Sequence, residues 1–357
     1  MDESQLKTPS ALGFRMPAEW NPHQATWLTW PKDPETWPDR VPQVEEIYLQ
    51  MIGALTPHEM VNLLVDDKDT EAAIRERVNS ATAAQIHFHH IQTVDSWIRD
   101  YGPNFLVGPN GECAFNDWIF NAWGNKYEEL KKDDTVPRRL EPFLKLKRFS
   151  PGIVMEGGSI EVNGAGCVLT TEQCLLNPNR NPELSREEIE QYLKEYLGVS
   201  KVLWLGEGIV GDDTDGHIDD IARFVAPNTI VCALEDDPQD ANYELLQDNL
   251  ARLKSMTDVS GKPFEIATLP MPGIVGGTST TTRDLDRLPA SYANFYIANK
   301  VVLAPVFGHA NDERAAETLQ KVFPTRQVVP INCEPLVWGM GTIHCVTQQQ
   351  PSVFIRG

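Results

Sequence analysis

An α/β fold is predicted by three features of the chain: strand pairs that recur as hairpins, single amphipathic helices between them, and no long linker to divide it. Residues 104–107 and 112–115 flank the turn Gly108-Pro109-Asn110-Gly111, and 159–162 and 167–169 flank Asn163-Gly164-Ala165-Gly166. Residues 221–225 turn through Ala226-Pro227-Asn228-Thr229 into 230–234, and 294–297 turn at Ala298-Asn299-Lys300 into 301–303. First strands start roughly every 50 to 75 residues, so about five such units fit once an N-terminal one is counted around Thr26-Trp27-Leu28-Thr29-Trp30. A cyclic arrangement of repeats is open to such a chain.

The helices follow from capping and spacing. Ser185-Arg186-Glu187-Glu188 reads as a capping box, and Ile189, Tyr192, Leu193, Tyr196 and Leu197 then fall on one helical face. Further helices are expected over 42–55, 69–80, 240–255 and 312–323. The acidic and lysine-rich residues 128–134 read as a solvated loop or helix face, with no chemistry assigned. The 357 residues suffice for a substantial core and are read as a single domain, 1–357.

Charge narrows the partners. With 31 basic against 51 acidic side chains, the formal charge of -20 repels nucleic acid and anionic lipid and favours a cationic ligand where the acids converge. Met1-Asp2-Glu3-Ser4 opens no leader, and apolar runs such as 301–307 are too short to span a bilayer, so a cytoplasmic location is expected. Cysteines at 113, 167, 174, 232, 333 and 345 show neither paired metal-ligand spacing nor disulfide-scaffold density.

Of these, Cys345 is the best nucleophile candidate, because it lies among flexible glycines, an apolar run and the amides Gln348-Gln349-Gln350. Two segments offer groups to tune it. In Gly216-His217-Ile218-Asp219-Asp220, a strand would point His217 and Asp219 to one side, while a turn would leave them as caps. In Trp97-Ile98-Arg99-Asp100, Trp97 and Asp100 suit an apolar wall and a charged anchor for an extended cation, or else a buried tryptophan beside an Arg99-Asp100 pair. Glu156, ahead of Gly157-Gly158, either looks into a crevice or satisfies nearby backbone donors.

Taken together these segments resemble the agmatine deiminase family, within the guanidine-modifying enzymes of pentein fold. The resemblance runs through 13–23, 97–103, Phe115-Asn116 with Trp123-Gly124, 156–158, 216–219, 287–299 and 341–351. It implies an α/β propeller of five strand-strand-helix-strand units around a central active site. It also implies Cys345 as nucleophile, His217 as general acid and base, Asp100 and Asp219 as guanidinium holders, and Glu156 as the carboxylate supporting His217. Read from the residues themselves, Trp97 and Trp123 are candidate apolar walls of the substrate site, with a core role equally open to Trp123. The implied reaction converts agmatine to N-carbamoylputrescine and ammonia, on the way to putrescine, with no cofactor and no metal, in a homo-oligomer. The chain departs from the family pattern at Met340, Thr342 and Asp220, where glycine, asparagine and asparagine are usual.

Other readings stay open on the sequence. Free-arginine or peptidyl-arginine deimination would need a carboxylate or peptide anchor, for which Arg15 and Arg99 are available. An amidinotransferase would use the same nucleophile. Metal hydrolysis would recruit His87, His89, His90 and the acids near residue 217, and a noncatalytic polyamine-binding protein would keep the carboxylates without needing the cysteine.

Overall fold

The computed structural model describes residues 8–276 and 287–353, so the opening Met1 to Ser4, on which the leader reading rests, lies outside it. Among the described residues the strands form five small sheets. The first is seeded by β1 (His23–Thr29), followed by helix α1 (Val41–Leu55), β2 (Met60–Val65), α2 (Lys68–Arg77) and β3 (Ile86–His90). The second holds β4 (Asn104–Val107), β5 (Cys113–Asn116), α3 (Val136–Leu144) and β6 (Lys147–Phe149). The third holds β7 (Glu161–Val162), β8 (Cys167–Thr171), α4 (Arg186–Leu197) and β9 (Lys201–Leu205). The fourth holds β10 (Ala222–Ala226), β11 (Thr229–Leu234), α5 (Tyr243–Ser255) and β12 (Glu265–Pro270), and the fifth β13 (Tyr296–Ile297), β14 (Val301–Val306), α6 (Asp312–Val322) and β15 (Gln327–Asn332).

Four of these sheets share one grammar. An antiparallel hairpin is followed by a helix and a strand parallel to the second hairpin strand, as in β4-β5-β6 and β10-β11-β12. Parallel pairing needs a crossover, and the helix supplies it. The first sheet obeys the same grammar only because β16 (Gln348–Pro351) returns to pair antiparallel with β1, placing Gln348 opposite Trp27 and Gln349 opposite Thr26. The ends of the chain thus build one unit jointly and close the ring.

The local causes are legible. Helix α4 has the capping box expected at Ser185 and Glu188, stops at Gly198 in a left-handed conformation (φ +66°), and buries Ile189, Leu193 and Leu197. The helix expected over 69–80 ends at Arg77, after which Asn79 caps a separate short turn. Helix α3 has Pro137 in its first turn and Pro142 inside, which obscured it in the sequence. Residues 128–134 are not merely solvated. Most of the stretch is a tight 3-10 turn in which buried Asp133 accepts from the Val94 and Asp95 amides, at 2.7 and 2.9 Å. Strand β3 is an edge of its sheet; His89 lies against the Trp27 ring, and exposed His90 bonds Glu71. Among the described residues, no helix is long and apolar enough to cross a membrane.

Candidate active site

Each unit contributes through the segment just ahead of its first hairpin strand. Asp100 lies in the turn before β4, Glu156 before β7, His217 and Asp219 before β10, Asn294 before β13, and Cys345 before β16. All six are buried, so approximate five-fold repetition gathers residues spread over nearly 250 positions of sequence at one place. His217 and Asp219 do not share a strand. They converge because Ile218–Asp220 forms one 3-10 turn with His217 as its cap.

The convergence is close. A Cβ placed on Gly158 would lie 2.5 Å from His217 Nδ1, 2.9 Å from Asp100 Oδ1 and 3.1 Å from Asp219 Oδ2, so only glycine fits between them. Gly341 likewise leaves room for Trp97 and for Cys345 Sγ, which a Cβ would approach to 2.7 and 3.1 Å. His217 Nδ1 is 3.8 Å from Asp100 Oδ1, and its Nε2 is 3.9 Å from Glu156 Oε2. Both separations exceed a hydrogen bond. Glu156 instead uses its other oxygen to bind Arg180 at 2.6 Å, and Arg180 also reaches Asp215 at 2.8 Å.

Asp100 is set by Gly158 N–H and by Trp123 Nε1–H, each donating at 2.9 Å. Trp123 is presented on a left-handed turn, with φ +55° at Ala122, +52° at Trp123, +87° at Gly124 and +65° at Asn125. Such strain in non-glycine residues persists where the surroundings hold a side chain in place. Trp97 donates to Asp95 and lies against the Trp37 ring, so it is wall and core at once. The Arg99-Asp100 pair does not form. Arg99 turns away to bond the His344 carbonyl and the Gln348 and Gln349 side chains. Those amides therefore serve Arg99, and Gln350 serves Trp27, rather than the sulfur.

Behind Asp219 runs a chain of buried charges that the sequence reading did not identify. Asp219 Oδ2 meets His344 Nδ1 at 2.7 Å, and His344 Nε2 meets Glu19 Oε2 at 2.8 Å. Glu19 pairs with Arg223, and Arg223 with Glu161, both at 2.8 Å. A charged residue inside the apolar strand Ile221-Ala222-Arg223-Phe224-Val225 was the available signal.

The electrostatics separate the groups. Burial drives His217 down to about 3, with Asp219 opposing, so its imidazole is neutral. Burial, then the charges of Asp219, Asp220 and Asp100, push the Cys345 thiol well above its ordinary range. Burial and the Asp219 charge push Asp100 up, whereas at Asp219 the burial penalty is outweighed by the His344 hydrogen bond and charge, which hold it low. An entering cation would reverse the repulsions that keep the thiol protonated.

The cleft above these groups has a volume of about 790 Å³ and reaches from Cys345, Asp100, Trp97 and Trp123 to an acidic rim that includes Asp33, Glu35, Glu128, Glu129 and Asp213. Its lone basic lining residue among the described residues is Lys126, engaged by Asp215 at 2.9 Å. Neither Arg15 nor Arg99 lines it. Met340 does, with φ +73°, a left-handed conformation that suits the glycine usual there.

Comparison with known proteins bears on this arrangement. The family model described as Porphyromonas-type peptidyl-arginine deiminase matches residues 15–351. An agmatine deiminase of Ectopseudomonas mendocina is 39% identical, with 97% of each chain covered. The solved agmatine deiminase of Enterococcus faecalis superposes with a TM-score of 0.91 at 37% identity, covering 98% of both chains. An agmatine deiminase of C. jejuni, a cysteine-to-serine variant with substrate bound, superposes at 0.84 with 30% identity, covering 94% of this chain and 96% of that one.

Proposed function

The chain belongs to the Porphyromonas-type peptidyl-arginine deiminase family, and from its full-length likeness to agmatine deiminases we infer that it is one, releasing ammonia from agmatine and leaving N-carbamoylputrescine. The observation that carries the reading is the acidic cleft ending on Cys345 and Asp100, with the neutral His217 imidazole and the unpartnered oxygens of Asp219 and Glu156 buried beside them. A guanidinium is planar and a donor in every direction, so Asp219 Oδ1 and Glu156 Oε2, which have no partner, and Asp100 beside them suit its N–H groups. A second positive charge at the far end of the substrate meets the acidic rim. A carboxylate there would find Lys126 alone, already paired, which supports agmatine over free or peptidyl arginine.

In this reading the substrate's own charge activates the nucleophile. Once the guanidinium offsets Asp100 and Asp219, the Cys345 proton passes to the neutral His217 and the thiolate attacks the guanidinium carbon, forming a C–S bond and a tetrahedral adduct. A proton delivered through His217 lets the C–N bond break and ammonia leave, so that an amidino-thioether remains on Cys345. Neutral His217 then takes a proton from water, hydroxide adds to the same carbon, and the C–S bond breaks as the urea-type product forms. Glu156 orients His217 as the imidazolium forms and shortens the present 3.9 Å gap. None of these steps requires a cofactor or a metal. We further read the protein as a cytoplasmic homo-oligomer.

The deciding experiment assays ammonia and carbamoyl product together over agmatine, free arginine and a blocked peptidyl-arginine. Agmatine is expected to give the largest kcat/KM. A clear advantage for a carboxylate-bearing substrate or for the peptide would refute the substrate assignment and leave the cysteine chemistry standing. Product without ammonia, appearing only when an amine acceptor is added, would mark an amidinotransferase.

A further inference from the structure

Four of the five units place a residue of the proposed reaction at the approach to their first strand, and the unit of β13, β14 and β15 places Asn294 there. Its side chain is completely buried and touches the sulfur: Nδ2 lies 3.2 Å from Cys345 Sγ. Which end of the amide faces the sulfur is settled by its other partners. The His344 backbone N–H, which can only donate, points to Oδ1 at 3.0 Å, and the Thr342 hydroxyl reaches the same oxygen at 2.7 Å. Nδ2 is therefore the atom turned toward the sulfur.

We propose that Asn294, locked in orientation by Thr342, is a catalytic residue that donates a hydrogen bond to the Cys345 thiolate. This rests on the reading of Cys345 as the nucleophile. As a thiol, Cys345 has acceptors for its S–H in Asn294 Oδ1 at 3.5 Å and Asp219 Oδ2 at 3.9 Å. As a thiolate it can only accept, and the oxygens become repulsive. The titratable groups around it are Asp219, Asp220 and Asp100, which disfavour the anion, with Tyr48, His217 and His344 nearby. Against them stands the Asn294 amide. A donor that gains strength as sulfur becomes anionic stabilises the reacting form selectively.

The test is alkylation of Cys345 by iodoacetamide in the full chain without substrate, followed by mass on the Cys345 peptide. Asn294→Asp keeps an oxygen for the His344 N–H and the Thr342 hydroxyl but removes the donor facing sulfur. It is expected to slow alkylation at fixed pH about tenfold or more, the equivalent of one pH unit of thiolate. Thr342→Val, which unlocks the amide, is expected to slow it about threefold, and Thr342→Ser to restore most of the loss. A purely structural role would lower the melting temperature and leave alkylation of the folded protein unchanged. The proposal is overturned if folded Asn294→Asp is alkylated at the rate of the unaltered chain. Should that variant not fold, equal rates for Thr342→Val and Thr342→Ser overturn it. The nucleophile reading fails by a different sign: Cys345→Ser turning over agmatine normally.

Discussion

Two groups of buried charge meet at Asp219 and differ in one respect. Beside Asp100, at the inner end of the cleft, both His217 nitrogens, Glu156 Oε2 and Asp219 Oδ1 have no hydrogen-bond partner. Away from it, His344 bonds carboxylates through both nitrogens, Glu19 accepts from His344, Arg223 and the Ile297 amide, and Glu161 from Arg223 and the Phe224 amide. Burial is equal in the two groups, so the contrast is one of satisfaction. An unmatched buried polar atom costs about 1–3 kcal/mol, and four such atoms clustered beside Asp100 are tolerated where a ligand completes them. The saturated group is scaffold, and its service is to hold Asp219 ionised from behind.

The contrast breaks if members of the two groups behave alike. The largest effect is expected on the cleft side: Cys345→Ser and His217→Ala should each lower kcat on agmatine by about 10³-fold or more while the melting temperature changes little. Quenched turnover with labelled substrate should place the adduct on Cys345 of the unaltered enzyme. On the scaffold side, Arg223→Met leaves Glu19 and Glu161 buried without their guanidinium. It should cost about 3–5 kcal/mol in denaturant unfolding, with turnover lost in proportion to the unfolded fraction. Asp219→Asn touches both groups, and should lose both turnover and stability; loss of turnover alone would place Asp219 wholly in the cleft group.

Smaller effects sharpen the same comparison. Glu156→Gln should lower kcat about tenfold with less change in KM, because it acts through His217. The pH dependence of unfolding separates the groups as well. His217 is held down to about 3 in the folded chain, so between its unfolded value of about 6.5 and that limit the unfolded chain binds a proton the folded one does not. Stability is therefore full above that window and declines as pH falls through it. His217→Gln should flatten this slope. Glu19, held low against burial by Arg223 and His344, contributes stability above its unfolded value that is lost on further acidification, and Glu19→Gln should remove that later loss.

The hairpins and the crossover helices other than α3 were legible in sequence because each rests on a local signal: turn residues between apolar runs, the Ser185 capping box, or apolar spacing on one helical face. Cys345, His217, Asp100, Asp219 and Glu156 could be singled out from their own short segments. What escaped notice depends on distant partners. Gln348 to Gln350 have no alternating pattern, yet they form a buried strand because β1 and Arg99 receive their amides. Asn294 was visible within a motif, but an amide acquires a role only when Thr342, His344 and Cys345 surround it. The expectation that glutamines surround the nucleophile had the right residue type and the wrong partner.

Ring closure by β16 has a temporal consequence. Trp27 and Gln350, which bond across the seam, stand 323 residues apart in sequence, and contacts of such separation form late because chain entropy must be surrendered before they reward it. The four contiguous units can collapse around their own hairpins first. Cys345 arrives with the strand that seals the seam, so during refolding helical signal should return before a protected, slowly alkylated thiol does. The nucleophile is then the final piece set into the ring, and the repulsive carboxylates gather around sulfur only once the rest of the structure can hold them there.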